Sequence, residues 1–358
     1  MSIVKPESIA VFCLTPGGVR LAKRMQQHLP LTCFCTEKLV ESGFQAFNGS
    51  FAKTVREAFE SYTALIVIGS TGMTIRVIAP LLKDKLTDPA VVVIDERGQH
   101  VISLLSGHVG GANELTRYLA TVLDAEPVIT TATDVNELAA LDVLAKQLDA
   151  DMHDFRQAVK TVNQMLVSDQ RVGLYWDHDS LPESNQCWPV DHYDTRGFIP
   201  VGQLESLPSD LAALVIVSLR DQLPDFPIPV FKLVPRRIVA GIGCRRNTES
   251  QLLIKLLQQQ FSRYAFDPLA LRSIGSVSIK ADELGLQQLS ELYRVPFQVF
   301  SVDLLKQHEH RFPTSEFVQK TIGVGAVSQP VAWLMSEGNL VGETLREQGV
   351  TITLGVSH

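Results

Sequence analysis

Apolar positions along the chain follow two periods. Short, nearly continuous apolar runs, "SIAVFCL", "ALIVIG" and "AVVVID", have the length and β-branching of buried strands. Between them lie stretches with helical spacing: Val19 to His28, Phe51 to Ser61, the run after "STGMT" to Leu82, and the run that ends at Leu123. "LTCFC", "HVISLL" and "PVITT" read as further strands and "DVNELAALDVLAKQL" as a helix. This alternation predicts an α/β fold whose N-terminal part is a mostly parallel, doubly wound sheet with helices on both faces. From about Asp151 to Pro235 the pattern is less regular. It gives a helix from Phe155 to Val167, strands at "VGLYW", "ALVIVSL" and "VFKLV", and a loop, residues 177–196, expected to be a mobile insertion. A last alternating part follows. "IVAGIG", "IGSVSIK", "PFQVFS" and "VTITLGV" read as strands, "QLLIKLLQQQF" and "DELGLQQLSELYRV" as helices.

Composition sharpens this picture. At 358 residues the chain exceeds one ordinary core, so two or three domains are expected. Apolar residues make up 45% and charged residues 20%, as in a soluble globular protein. The net charge of −7 argues against bulk binding to nucleic acid or to an anionic membrane, while leaving room for a local basic patch. The N-terminus lacks the pattern of a secretory signal, and no apolar run reaches the length of a membrane span. The five cysteines (Cys13, Cys33, Cys35, Cys187, Cys244) have no framework spacing, so reduced thiols in the cytoplasm are expected.

Candidate chemistry concentrates in loops. "TPGG" (Thr15–Gly18), "GSTG" (Gly69–Gly72), "SGHVGGAN" (Ser106–Asn113) and "TTATD" (Thr130–Asp134) each follow an apolar strand and open a helix. If the strands are parallel, all four lie at one sheet edge, where doubly wound folds bind ligands. Gly17, Gly18, Ser70, Thr71, Gly72, Ser106, Gly107, Gly110, Gly111, Asn113, Thr131 and Thr133 are therefore candidate substrate-binding residues, their backbone N–H groups facing an anion. The plain alternative is that α/β domains need glycine turns. No loop carries a Walker sequence or a dinucleotide fingerprint. His108 is expected at a helix N-terminus, where the dipole favours a neutral ring that accepts a proton; the alternative is a histidine satisfied by hydrogen bonds at a turn. "DERG" (Asp95–Gly98) reads as a hairpin turn.

"GIGCRRNTES" (Gly241–Ser250) offers Arg245 and Arg246 as donors to carboxylates, Thr248 with Gln251 as a capping box, and Cys244 as a thiol whose pKa two cations could lower. No histidine partner makes Cys244 a nucleophile, and the plain alternative is a solvated basic turn. "HEH" (His308–His310) has no third ligand at useful spacing and reads as surface rather than metal. No G-x-S-x-G elbow occurs.

Taken together, "VVVIDERGQHVISLLSGHVGGANELTRYLA", "PVITTATDVNELAALDVLA", "GIGCRRNT" and "SEFVQKTIGVGAVSQPVAWL" resemble the cobalt-precorrin 5A hydrolase family of anaerobic cobalamin biosynthesis, in order and over essentially the whole chain. Asn247-Thr248 departs from the Gly-Thr pair common there, with another residue suited to a turn. The resemblance implies three regions, placed here at 1–137, 138–235 and 236–358. It implies that water opens the δ-lactone of a cobalt-corrin intermediate and that acetaldehyde leaves, giving cobalt-precorrin 5B. The cobalt comes with the substrate, so no cofactor is expected, and neighbouring pathway enzymes are the expected transient partners. On this reading His108 is the base that activates water, and the glycine loops supply donors for the developing oxyanion. Two rivals are a non-catalytic corrinoid carrier and a nucleotide-dependent enzyme.

Overall fold

The structure is a computed structural model that describes residues 8–181 and 188–357. The described chain falls into two compact units that divide at Val143/Leu144. In the first unit the strands are β1 (Ile9–Cys13), β2 (Thr32–Cys35), β3 (Phe44–Ala46), β4 (Ala64–Ile68), β5 (Ala90–Ile94), β6 (His100–Leu105) and β7 (Glu126–Val128). They form one seven-stranded sheet in the order β3-β2-β1-β4-β5-β6-β7. Helices α1 (Pro16–Gln26), α2 (Phe51–Ser61), α3 (Thr71–Ile78) and α4 (Ala112–Leu123) cover it. The alternation of β1 divides the core: Ile9, Val11 and Cys13 pack with residues of α1 and α4, while Ala10 and Phe12 pack with residues of α2 and α3. β1 and β4 are wholly buried, which is why they read as unbroken apolar runs.

The sheet is mostly parallel, as expected, but the four candidate loops do not share one edge, because β5 pairs β6 antiparallel and β7 follows β6 in parallel. The cause is the "DERG" turn. Asp95 accepts hydrogen bonds from Arg97 N (2.9 Å) and His100 N (2.6 Å), and Gly98 takes φ 69° to complete the hairpin. Chain direction therefore reverses. The loops after β1 and β4 lie at one edge of the sheet and those after β6 and β7 at the other, about 16 Å away for strands of this length.

The predicted helix over 134–148 is also broken. It forms α5 (Ala132–Val135) and α6 (Leu141–Gln147), separated by a segment in which Glu137 has φ 56° and Leu138 N bonds back to Thr133 O.

The second unit holds two five-stranded sheets. The first is built from β8 (Ala150–Asp151), β9 (Val172–Trp176), β10 (Phe198–Val201), β11 (Ala213–Val217) and β12 (Val230–Pro235), with helix α7 (Phe155–Val167). β9 to β12 run parallel and β8 antiparallel. Of the loop at 177–196, residues 182–187, Cys187 among them, lie outside the described residues. Its described part is anchored by Trp188, which is buried, packs at a tilt against Trp176 and donates to Asp177 O at 3.1 Å. The second sheet contains β13 (Ile238–Gly243), β14 (Leu271–Val277), β15 (Phe297–Phe300), β16 (Leu340–Glu347) and β17 (Val350–Val356), in the order β15-β14-β13-β17-β16. α8 (Ser250–Arg263), α9 (Leu284–Tyr293), α10 (Val302–His308), α11 (Glu316–Ile322) and α12 (Ser328–Met335) complete it. Hairpin β16–β17 turns the chain back beside β13, so β13 lies between a parallel and an antiparallel neighbour.

Candidate active site

The loop between β6 and α4 folds onto itself. Gly111 N donates to His108 O (2.9 Å), Ala112 N to Ser106 O (3.1 Å) and Asn113 N to Gly107 O (3.0 Å). A Cβ on Gly110 would lie 2.3 Å from Ser106 Cβ, and Gly111 has φ 87°, so both positions require glycine. The glycines thus serve the loop's own closure, and these three amides are used within it. Ser106 has φ 56°, and its hydroxyl is buried with no partner among the described residues.

This closure presents His108 to two carboxylates. Its Nε2 lies 3.0 Å from Asp134 Oδ2 and 2.9 Å from Thr133 Oγ1, and its Nδ1 lies 3.4 Å from Asp142 Oδ2. The break between α5 and α6 makes this possible. Eight residues on an unbroken helix would separate the two aspartates by about 12 Å along its axis. Arg117 of α4 pairs with Asp134 Oδ1 at 2.5 Å. Asn113 donates to Asp134 Oδ2 (2.8 Å) and Thr131 Oγ1 (3.0 Å) and accepts from Ser103 Oγ (2.6 Å). Burial disfavours the His108 cation, but hydrogen bonds and charge from Asp134 and Asp142 outweigh it and raise the pKa to about 9. For Asp134, burial works upward and is outweighed by His108 and Arg117, which hold the carboxyl down to about 2.

The expectation of a neutral ring is therefore corrected. His108 precedes the α4 cap, Gly111, and the two carboxylates rather than the dipole set its charge. The two carboxylates favour the imidazolium form, which can donate a proton or stabilise negative charge.

The structure gathers Ser106, Gly107, His108, Gly110, Gly111, Asn113, Thr131 and Thr133 at this edge. Gly17, Gly18, Ser70, Thr71 and Gly72 sit at the opposite edge of the same sheet. Gly17 and Gly18 are buried, Gly18 N is capped by Thr15 Oγ1 at 3.1 Å, and the Glu96 side chain lies over Gly17. Ser70 caps α3 through Met73 N. Asp134, Asp142, Arg117 and Ser103 were missed by the sequence reading. The sequence pattern places Asp134 and Asp142 on one helix, where they could not share a partner.

The second unit carries a separate feature. A cavity of about 840 Å³ opens at the carboxyl ends of β13 and β14, lined by Cys244, Arg245, Arg246, Lys280 and residues of the β16–β17 turn. Arg245 is exposed and makes no ion pair among the described residues; Arg246 reaches Asp282 (3.4 Å) and Ile279 O (3.2 Å). Two further expectations are corrected. Thr248 does not cap α8, because its hydroxyl donates to Arg245 O at 2.8 Å and the cap residue is Glu249. Burial raises the Cys244 thiol pKa, and the nearby Lys280 only partly offsets this, so Cys244 is not a thiolate. His308 of the "HEH" stretch packs on Trp333, and no metal-ligating cluster occurs among the described residues.

Comparison with known proteins places these features. Residues 53–134 match the family described as Cobalamin synthesis G N-terminal, 139–231 Cobalamin biosynthesis central region, and 238–355 Cobalamin synthesis G C-terminus. The cobalt-precorrin-5A hydrolase of Salmonella typhimurium is 64% identical over 358 residues, covering 100% of both chains. The chain belongs to the cobalt-precorrin-5A hydrolase family. The Priestia megaterium cobalt-precorrin-5A hydrolase is 31% identical, covering 97% of this chain and 94% of its own. The crystal structure of a cobalamin biosynthesis protein G homolog from Sulfolobus solfataricus aligns over 98% of each chain at 18% identity with a TM-score of 0.38. Within this family's divisions, His108, Asn113 and Asp134 belong to the N-terminal segment and Asp142 to the central one. The His108 cluster therefore draws on both.

Proposed function

We propose that this chain, a cobalt-precorrin-5A hydrolase, opens the δ-lactone of cobalt-precorrin 5A with water, releases acetaldehyde to give cobalt-precorrin 5B, and uses His108 as an imidazolium. The activity rests on one observation, the 64% identity to a curated hydrolase of that name along the full length of both chains. Water adds to the lactone carbonyl and the acyl–oxygen bond breaks, leaving a carboxylic acid and a hydroxyl. The hydroxyl loses its proton and becomes the carbonyl of acetaldehyde as its carbon–carbon bond to the macrocycle breaks. The macrocycle keeps that electron pair and takes up a proton. Negative charge develops first on the carbonyl oxygen and then on the ring. A fixed cation that carries a proton suits both moments, while the protons given up by the attacking water and by the hydroxyl pass to solvent.

What supports this role for His108 is its clamp. Asp134 and Asp142 hold the charge from the two ring nitrogens, and Thr133 Oγ1 lies 2.9 Å from Nε2. No resident cofactor enters the proposal, since the cobalt is carried by the substrate. The reaction is assigned to the cytoplasm, with transient contact to neighbouring pathway enzymes and none to nucleic acid or membrane. Among the described residues no helix is long and apolar enough to cross a membrane.

The test is anaerobic incubation with cobalt-precorrin 5A and assay of acetaldehyde. His108→Gln should reduce turnover by about 10²–10⁴-fold, the usual range for a proton-transfer group. Wild-type turnover should fall as pH rises through about 9. Full turnover by a folded H108Q protein would remove His108 from the mechanism. Tight binding without acetaldehyde would favour a carrier.

A further inference from the structure

The cavity of the second unit inverts the sign of the chain around it. Its lining contains four cationic side chains, Arg245, Arg246, Lys280 and Arg346, against one carboxylate, Glu347, on a chain whose net charge is −7. Between them lie apolar side chains, Val318, Ile322 and Val350 among them. An apolar floor with cations around it suits a flat ligand with an anionic edge.

Lys280 is the unusual member. It lies in the single turn after β14, and its side chain is only 5% exposed. Burying an ammonium is unfavourable unless it is paired. Its hydrogen-bond partner among the described residues is Glu283, at 3.0 Å and equally buried. An ammonium has three donors, and this bond uses one. A leucine or methionine would line the same wall without this penalty. Replacing a buried ion pair by neutral groups is often neutral or stabilising, so the pair is poorly explained by stability alone. Arg245 complements it at the rim. Its guanidinium packs across Gly349, where an added Cβ would lie 2.8 Å from Nε. Arg246, by contrast, is engaged by Asp282.

We propose that this cavity is an anion-recognition compartment in which Lys280, on the inner wall, and Arg245, at the rim, each take a ring-edge carboxylate of a polycarboxylate corrinoid. The corrinoid identity rests on the proposed function; the preference for a carboxylate rests on the cavity alone. Glu283 pairs with Lys280 and directs its side chain. Lys280 was invisible to the sequence reading because "IGSVSIK" ends as a strand would, and nothing in it marks a lysine that turns inward.

The experiment uses the full chain and two probes, cobyrinic acid, a cobalt corrin with free ring-edge carboxylates, and its methyl ester, which has the same ring without the charges. Removing Lys280 alone strands Glu283, so the informative variant is K280M/E283Q, with R245Q as a second, exposed site. The double variant should unfold at the wild-type temperature or above, and should bind the acid at least tenfold more weakly while binding the ester unchanged. R245Q should weaken the acid in the same selective way. Wild-type affinity for the acid in both variants, equal losses for acid and ester, or no acid binding by the wild type would overturn the proposal. Acetaldehyde assays separate it from the hydrolase reading. A wild type that makes acetaldehyde, with KM unaltered in K280M/E283Q, removes the compartment and keeps the hydrolase. Charge-selective, Lys280-dependent binding without acetaldehyde does the reverse.

Discussion

The contacts of His108 favour its protonated form, and this should be readable in stability. Its pKa is raised from 6.5 to about 9 in the folded chain. The stabilisation is therefore complete below the unfolded value and is lost as pH rises through about 9. Asp134 has the opposite sign: its contribution is present above 3.8 and is lost as pH falls through about 2. Between these limits the cluster is intact. A shift of this size for the histidine bounds its contribution at about 3 kcal/mol. Thermal unfolding of the wild type should accordingly fall between pH 6.5 and 9.5 by more than that of H108Q, which has no titrating ring. Parallel curves for the two proteins would mean that the Asp134–His108–Asp142 contacts do not carry this energy. The histidine itself was legible in the sequence as a titratable group among glycines. Its charge was not, because Asp134 and Asp142 follow it by 26 and 34 positions and reach it only through a broken helix.

The "DERG" turn decides where that histidine lies. It reads as a hairpin from the sequence, yet its consequence, a reversal of β6 and β7, follows only once β5 and β6 are seen to pair. Short buried strands look the same in either direction, which is why β1, β4 and β5 were legible as elements and the direction of β6 was not. β3, β8, β10 and β16 escaped notice for a different reason. They are short or edge strands with mixed polarity, as in "FQA" and "LVGETLRE". Within the turn, Asp95 holds the reversal through Arg97 N and His100 N, and these backbone bonds, acting against burial, lower its pKa. Asp95→Ala should cost about 1–3 kcal/mol, since hydrogen bonds to a charged group are lost. Urea unfolding measures this directly, and a change below a few tenths of a kcal/mol would assign the reversal to Gly98 and the strand pairing instead.

Two compact units with separate cores imply that one unfolding free energy does not describe the chain. The second unit has an internal tie that makes this testable. Lys232 of β12 donates to Asp267 Oδ2 at 2.6 Å, and to Arg220 O and Asp221 O. Asp267 N donates to Leu219 O at 2.8 Å, and the aspartate side chain is 2% exposed. The pair thus joins the two sheets of that unit, and Phe266 bridges Arg220 beside it. Breaking a buried pair from one side leaves a charge without compensation, at about 3–5 kcal/mol. Asp267→Ala should therefore weaken amide protection across β11, β12, β13 and β14 and leave β1, β4 and β5 as protected as in the wild type. Hydrogen-exchange mass spectrometry resolves the two sets. Loss of protection in β1, β4 and β5 as well would show that the units unfold together, and the pH dependence assigned to His108 would then belong to the whole chain rather than to its first unit.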